Sequence, residues 1–170
     1  MTWIFDATPL IYLAKAERLE VTETLSDPRL VSERVYREVV TQGIEAGYDD
    51  ARRIERAVED GRLDVVEVDL EDSTVATRLD AGLSAADVAV LACADARDGV
   101  AVMDEAAGRS AAAVEGVETR GTAYVVLSAV KRGKLAPEEG REAIDAMIDR
   151  GWYVAPDLYA KIVRKLESFE

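Results

Sequence analysis

The sequence contains no histidine, one cysteine, four prolines and only ten aromatic residues among its 170 positions. The absence of histidine excludes Ser-His and Cys-His catalysis and argues against a zinc site. Cys93 is alone among apolar residues of a predicted helix, which excludes a disulfide framework and makes packing its expected role. The longest apolar run covers only residues 88–94, and no export signal is evident. We therefore expect a cytoplasmic protein without membrane spans.

Positive charge is also scarce. Twenty-one basic residues, of which only five are lysines, face 34 acidic ones and give a net charge of −13. This composition resembles that of proteins from salt-accumulating archaea, and it lacks the basic balance of an ordinary nucleic-acid-binding protein. In molar salt the Debye length falls to about 3 Å, so repulsion between this surface and phosphates would be screened. A nucleic-acid substrate therefore stays possible in a salt-rich cell, and low salt should destabilise the protein.

The pattern of apolar segments predicts an α/β fold. At 170 residues with 49% hydrophobic composition, the chain is expected to form one domain with a substantial core. Short apolar strands alternate with helices, which predicts a mostly parallel central sheet with helices on both faces. The predicted strands cover residues 2–5, 30–31, 63–68, 100–103 and 117–119. Residues 122–170 form a predicted C-terminal helical extension for core or oligomer contacts.

The segment 82–105 carries the clearest signal of a site. Ser84 is a predicted helix N-cap with Asp87 three residues later, and the helix is followed by an apolar strand that ends at Asp104 and Glu105. Ligands of open parallel sheets collect beyond the carboxyl ends of the strands. Asp87 could instead close a capping box with Ser84, and this role would compete with binding a ligand.

Two more acidic residues stand at comparable places. Asp6 directly follows the first predicted strand, and Thr8 is the predicted N-cap of a helix whose first residue is Pro9. Glu38 lies within the helix after the second strand. From the local pattern alone, Asp6 could equally be a turn residue at the end of a strand. Glu38 could likewise form an ordinary surface ion pair with Arg34.

These four positions together resemble the motifs of the PIN-domain family. The matching segments are Asp6-Ala-Thr-Pro-Leu-Ile, Ser32 to Val40 with Glu38 inside it, Leu83-Ser-Ala-Ala-Asp87, and Val102-Met-Asp104-Glu105. The likeness spans residues 1–121, and the remainder resembles a prokaryotic, VapC-like subfamily with added C-terminal helices. Many members of that subfamily are toxins of toxin–antitoxin pairs. They commonly carry Asp-Asp where this chain has Asp104-Glu105.

The resemblance implies a PIN-like three-layer fold and a metal-dependent endoribonuclease that cuts single-stranded RNA. It implies that Asp6, Asp87 and Asp104 bind Mg²⁺ or Mn²⁺, with Glu38 as a fourth catalytic residue that holds a water or orients the nucleophile. An antitoxin protein and a homodimer are the implied partners. Carboxylate oxygens suit such hard cations, and a bound cation would offset the repulsion between the carboxylates.

Three further residues receive lesser roles by the same resemblance. Glu105 and Thr8 are expected to be auxiliary to the ligands. Arg109 matches a basic position of the subfamily that would contact a phosphate, although an ion pair with Glu105 at i−4 is the alternative. Replacing Asp6 or Asp104 by Asn should abolish cleavage while unfolding stays similar or shifts slightly upward.

Two other functions stay open at this point. A phosphohydrolase of the haloacid-dehalogenase type would use Asp6 as a covalent nucleophile and would need a dedicated lysine. None of the five lysines stands in a convincing motif. The second alternative is a non-catalytic domain whose acidic edge binds a cation or a partner protein.

Overall fold

A computed structural model describes residues 1–79 and 82–170 and contains a five-stranded, all-parallel sheet flanked by helices. The predicted α/β class is confirmed. The strands are β1 Trp3–Phe5, β2 Arg29–Ser32, β3 Asp64–Val66, β4 Val100–Val102 and β5 Glu118–Arg120. The helices are α1 Ala7–Lys15, α2 Glu33–Tyr36, α3 Gln42–Glu45, α4 Asp49–Glu59, α5 Thr74–Arg78, α6 Ala85–Ala96, α7 Ala106–Val114, α8 Thr122–Lys131, α9 Pro137–Asp149 and α10 Pro156–Glu167. A 3₁₀ helix covers Leu19–Thr24, and a π-helical segment, Arg37–Thr41, joins α2 to α3.

The order of the strands is β3-β2-β1-β4-β5, with β1 at the centre. Ile4 of β1 is in register with Leu30 on one side and with Ala101 on the other. The chain builds the sheet outward from β1 to β3 and then returns to the other side of β1 for β4 and β5. The point where this order reverses lies between β1 and β4, which is where open α/β sheets place their ligands.

The two central strands, β1 and β4, are each three residues long and fully buried. Burial of β1 and β4 is complete along their length, as expected for parallel strands covered by helices on both faces. Their side chains belong to one hydrophobic core that also includes Ile144 and Met147 of α9 and Leu166 of α10. The C-terminal helices therefore pack onto the same core as the sheet.

A glycine allows the close packing of these last helices. A Cβ at Gly140 of α9 would lie 2.6 Å from Cγ2 of Val130 in α8 and 3.0 Å from Leu166 of α10. No L side chain fits at such a distance, so glycine lets the three helices approach each other. Across the described ranges, no helix combines the length and the apolar character that a bilayer span requires.

The start of α1 differs from the prediction. The helix begins at Ala7, with Asp6 as its N-cap, rather than at Pro9 with Thr8 as cap. The reason is a hydrogen bond from the backbone N–H of Ala7 to Oδ1 of Asp6, at 2.8 Å, which starts the helix two residues earlier. Aspartate is as good an N-cap as the short hydroxyl residues are. The 3₁₀ helix was not predicted, and the observed strand β3 is shorter than predicted.

Candidate active site

Asp6 lies at the centre of the candidate site. It follows β1 directly, and its backbone N–H donates to the carbonyl of Val102 at 3.0 Å, which extends the pairing of β1 with β4 by one step. Its side chain is 7% exposed. The apolar strand thus carries a carboxylate to the reversal point of the sheet and leaves it almost without contact with water.

The environment of Asp6 raises its pKa from 3.8 to about 7. Burial is the largest cause, since it disfavours the charged form. The hydrogen bond from Ala7 acts in the opposite direction, and the negative charges of Asp87, Glu38 and Glu105 raise the pKa further. Four acidic residues from separate parts of the sequence are therefore close enough to influence each other, and we call Asp6, Glu38, Asp87 and Glu105 the acidic cluster.

Asp87 reaches the cluster from the first turn of α6. Ser84 caps this helix by accepting a hydrogen bond from the backbone N–H of Asp87 at 3.1 Å, as its sequence predicts. Asp87 is 9% exposed. The positive end of the helix dipole stabilises a carboxylate at this place. One half of the capping box is thus present, the half that uses the Ser84 side chain.

Glu38 reaches the cluster from the π-helical segment. The Ser32 side chain caps α2. The helix then widens into a π-helical turn, in which the N–H of Gln42 donates to the carbonyl of Arg37, five residues earlier. Val39 and Val40 are buried in the core while Glu38 is exposed. π-helical turns are uncommon and frequently occur at functional sites. Here the turn sets the side of the helix from which Glu38 projects.

Asp104 is held differently. Its two oxygens accept three hydrogen bonds: from the backbone N–H of Thr122 at 2.7 Å, from the Thr122 hydroxyl at 2.6 Å and from the indole N–H of Trp152 at 3.1 Å. Among the described residues, Asp104 is not one of the charges that raise the pKa of Asp6. The Asp104 carboxylate therefore joins the end of β4 to the start of α8 and to the segment before α10.

The next residue, Glu105, belongs to the acidic cluster. It is exposed and occupies the N-cap position of α7 without forming a side-chain cap. Thr8, which the sequence placed beside the ligands, lies inside the first turn of α1 and is half-buried. The structure thus groups three of the four predicted catalytic residues with Glu105 and directs Asp104 towards α8.

Arg109 lies on α7 near Asp104. Its Nη1 donates to the carbonyl of Met103 at 3.3 Å, and its side chain lines a cavity of about 380 Å³. In the described ranges it does not form the ion pair with Glu105 that was one sequence-based alternative. Among the residues that the structure describes, this guanidinium has no carboxylate partner, and it could bind an anion at this edge of the sheet.

The donor chemistry of the cluster suits a hard divalent cation, because every candidate ligand atom is a carboxylate oxygen. The repulsion acting on Asp6 is of the kind that a cation relieves. In this conformation, however, no three acidic, histidine or cysteine side chains of residues 1–79 and 82–170 are close enough to hold an ion together. An ion could be held here only if exposed side chains such as Glu38 and Glu105 turned towards Asp6.

Sequence reasoning did not find the partners of Asp104. Thr122 lies 18 residues and Trp152 lies 48 residues after it. The only local signal was that Thr122 begins a helix, where a hydroxyl residue is common. Nothing in the pattern around Trp152 connects it to the end of β4, because this contact depends on how the last helices pack.

Comparison with known proteins gives a family. No curated protein and no solved structure matches the chain. A family model described as a PIN domain matches residues 2–168. Since this match runs from the first strand to the last helix, the chain belongs to the PIN-domain family.

Proposed function

We propose that this protein is a metal-dependent endoribonuclease that hydrolyses phosphodiester bonds of single-stranded RNA at the acidic cluster. PIN domains are generally nucleases that act on nucleic acids and typically use divalent metal ions. The observation that carries the proposal is the nearly buried carboxyl of Asp6, whose pKa is raised to about 7 in part by three other acidic residues. Strongly perturbed carboxyls of this kind cluster at functional sites.

We assign the ligands of an Mg²⁺ or Mn²⁺ ion to Asp6, Asp87 and Glu105, with Glu38 holding a water or orienting the nucleophile. Held by these residues, such an ion would activate water for attack near neutral pH and would offset the charge on the leaving oxygen. The hydrogen bond from Ala7 fixes the Asp6 carboxylate, and the Ser84 cap fixes the backbone from which the Asp87 side chain projects. The sequence-based assignment made Asp104 the third ligand and is untested; our proposal gives that place to Glu105. Asp104 would have to give up three hydrogen bonds to reach the ion.

Arg109 is the residue that we expect to contact the substrate phosphate. It is exposed and lies four residues after Glu105 along α7. Guanidinium groups suit phosphate because their N–H groups match its oxygens in pairs. The overall charge of −13 opposes RNA binding at low salt, so we expect RNA affinity to depend on this local positive charge and on added salt or metal.

We further propose that the nuclease is the VapC-like toxin of a cytoplasmic toxin–antitoxin pair in a halophile and acts as a homodimer. PIN domains are often related to such pairs. The supporting feature in this chain is the acidic, lysine-poor composition, which favours a salt-rich cytoplasm. A small open reading frame that overlaps the gene upstream, and whose product copurifies with this protein, would support the toxin assignment. Expression without any effect on growth would count against it.

Cleavage of a labelled single-stranded RNA in high salt tests the nuclease proposal. Activity should require Mn²⁺ or Mg²⁺ and disappear with chelator. Asp6→Asn and Asp87→Asn should each lower the rate more than about 100-fold, beyond the losses typical of outer-shell partners of a metal. Glu142→Gln, which removes one exposed charge on α9, is the matched control and should cut at the rate of the parent.

Substitutions at Glu105 and Asp104 distinguish which of the two residues binds the metal. Our assignment predicts that Glu105→Gln loses Mn²⁺ affinity, whereas Asp104→Asn mainly loses stability. Equal rates for the parent and Asp6→Asn would refute the proposal. A phosphorylated Asp6 trapped from a phosphomonoester would instead favour the haloacid-dehalogenase alternative.

A further inference from the structure

The cavity beside Asp104 is not used by the acidic cluster. It measures about 380 Å³ and lies between the start of α8 and the segment that precedes α10. Its walls include one carboxylate, one guanidinium and several aromatic or apolar side chains. These residues are Asp104, Arg109, Tyr124, Trp152, Tyr153 and Leu158. Because Asp104 is adjacent to Glu105, the cavity opens next to the site proposed for hydrolysis.

One wall of this cavity is held rigidly. The indole N–H of Trp152 donates to Asp104 at 3.1 Å, and its backbone N–H donates to the carbonyl of Met147 at 2.9 Å. Trp152 is only 5% exposed. Tyr153 follows this anchored residue directly, in the irregular segment that leads to α10.

The tyrosine at this position is almost entirely in water. Tyr153 is 84% exposed, and Leu158, on the same cavity, is 45% exposed. In the described residues, the Tyr153 ring forms no stacking or cation–π contact. An exposed aromatic ring beside a cavity offers a flat apolar surface on which a planar ligand can stack.

Arg109 supplies positive charge to the same cavity. Arg109 has only the carbonyl of Met103 as a hydrogen-bond acceptor within the described ranges. Gly121 keeps the space open, because a Cβ there would lie 2.9 Å from Oδ1 of Asp104 and 3.2 Å from Nη1 of Arg109. A cation and an exposed aromatic ring on the same cavity are the combination that binds single-stranded nucleic acid, through phosphate and base respectively.

We propose that this cavity binds one nucleobase of single-stranded RNA, stacked on Tyr153, with Arg109 on the adjoining phosphate. The proposal rests on the nuclease function proposed above and names the part of the substrate that is recognised outside the acidic cluster. A cavity of about 380 Å³ with a guanidinium on its wall suits one nucleotide better than the face of a second protein. The cavity then sets the position of the strand relative to the hydrolysed bond.

A mononucleotide tests the cavity independently of cleavage. Adenosine 5′-monophosphate and ribose 5-phosphate, which lacks the base, are titrated in chelator while the tryptophan fluorescence is followed. The parent should bind the nucleotide more tightly than the sugar phosphate. Tyr153→Ala should weaken nucleotide binding about five- to 150-fold, the range of base–aromatic stacking, and leave the sugar phosphate unaffected. Tyr153→Phe keeps the ring and should bind like the parent, while Arg109→Ala should weaken both ligands.

RNA cleavage gives the second measurement. Tyr153→Ala should raise KM with little change in kcat, because stacking holds the strand in the ground state and the transition state alike. The inference is overturned if nucleotide and sugar phosphate bind equally in every variant. It is also overturned if Tyr153→Ala changes the molecular mass of the protein, measured by sedimentation, without changing nucleotide binding. The surface around Tyr153 would then be an interface between two copies of the chain. If the parent cuts no RNA, the nuclease proposal is refuted. The base-binding role of the cavity still stands in that case, provided that the parent binds the nucleotide and Tyr153→Ala does not.

Discussion

Replacing Asp6 by Asn should stabilise the metal-free protein, and the gain should depend on pH. The pKa of Asp6 is about 7 in the folded protein, against 3.8 for an ordinary aspartate. Between these two values the folded protein binds a proton that the unfolded chain has released. The free energy of unfolding therefore falls as the pH rises from about 4 to about 7, and it stays level above that.

The magnitude follows from the difference between 3.8 and about 7. At 1.36 kcal/mol per pH unit, the ionised carboxyl destabilises the fold by about 4 kcal/mol above pH 7, an upper value because the site can relax. Asparagine removes the charge and keeps an oxygen that can accept the hydrogen bond from Ala7. Asp6→Asn should thus be more stable than the parent at pH 8 and similar to it near pH 4.

Denaturant unfolding in chelator at pH 4.5, 6 and 8 measures this difference. Glu142→Gln controls for the removal of one charge from an acidic protein. With Mn²⁺ at about 100 times its Kd, the parent should gain about 2.7 kcal/mol and Asp6→Asn much less. The reasoning is refuted if Asp6→Asn is no more stable than the parent at pH 8, or if both proteins show the same change between pH 4.5 and 8.

Three further outcomes concern the surroundings of the site. Asp104→Asn should lower the free energy of unfolding by about 1–3 kcal/mol, since an amide cannot accept all three hydrogen bonds; an unchanged denaturation midpoint would contradict this. The sequence alone suggested the opposite sign for this substitution. Gly121→Ala should cost about 1–3 kcal/mol through its clash with Asp104 and also weaken nucleotide binding; calorimetry and the fluorescence titration measure the two effects. Raising KCl from 0.1 M to 1 M should raise Tm, because the chain has a charge of −13 and the Debye length falls from about 10 Å to about 3 Å. A constant Tm would show that repulsion between the acidic residues does not significantly lower the stability.

The strand segments and the positions of Asp6 and Asp87 could be predicted because they depend on local patterns. A buried parallel strand is a short apolar run, and the residue after it necessarily lies at the carboxyl edge of the sheet. Ser84 as a helix cap fixes the first turn of α6 and hence Asp87. The family resemblance then supplied a reason to consider Glu38, whose local pattern alone favours a surface role.

The environment of the residues after β4 could not be predicted in the same way. Asp104 and Glu105 are adjacent and chemically similar, and only the packing of α8 and the last helices determines which one turns to Thr122 and Trp152. These contacts join residues far apart in sequence. The cap at Asp6 was missed for a different reason, because Thr8 and Pro9 form an equally good local start signal and a single hydrogen bond decides between the two.

The most direct test of the account is the position of a bound metal ion. A crystal of the protein soaked in Mn²⁺ should show an anomalous scattering peak among the carboxylates of Asp6, Asp87 and Glu105, with Asp104 still bonded to Thr122. A peak bound by Asp104 and distant from Glu105 would contradict the ligand assignment. If Mn²⁺ saturates the protein in solution but no peak lies near Asp6, the acidic cluster is not a metal site and the proposed nuclease mechanism is wrong.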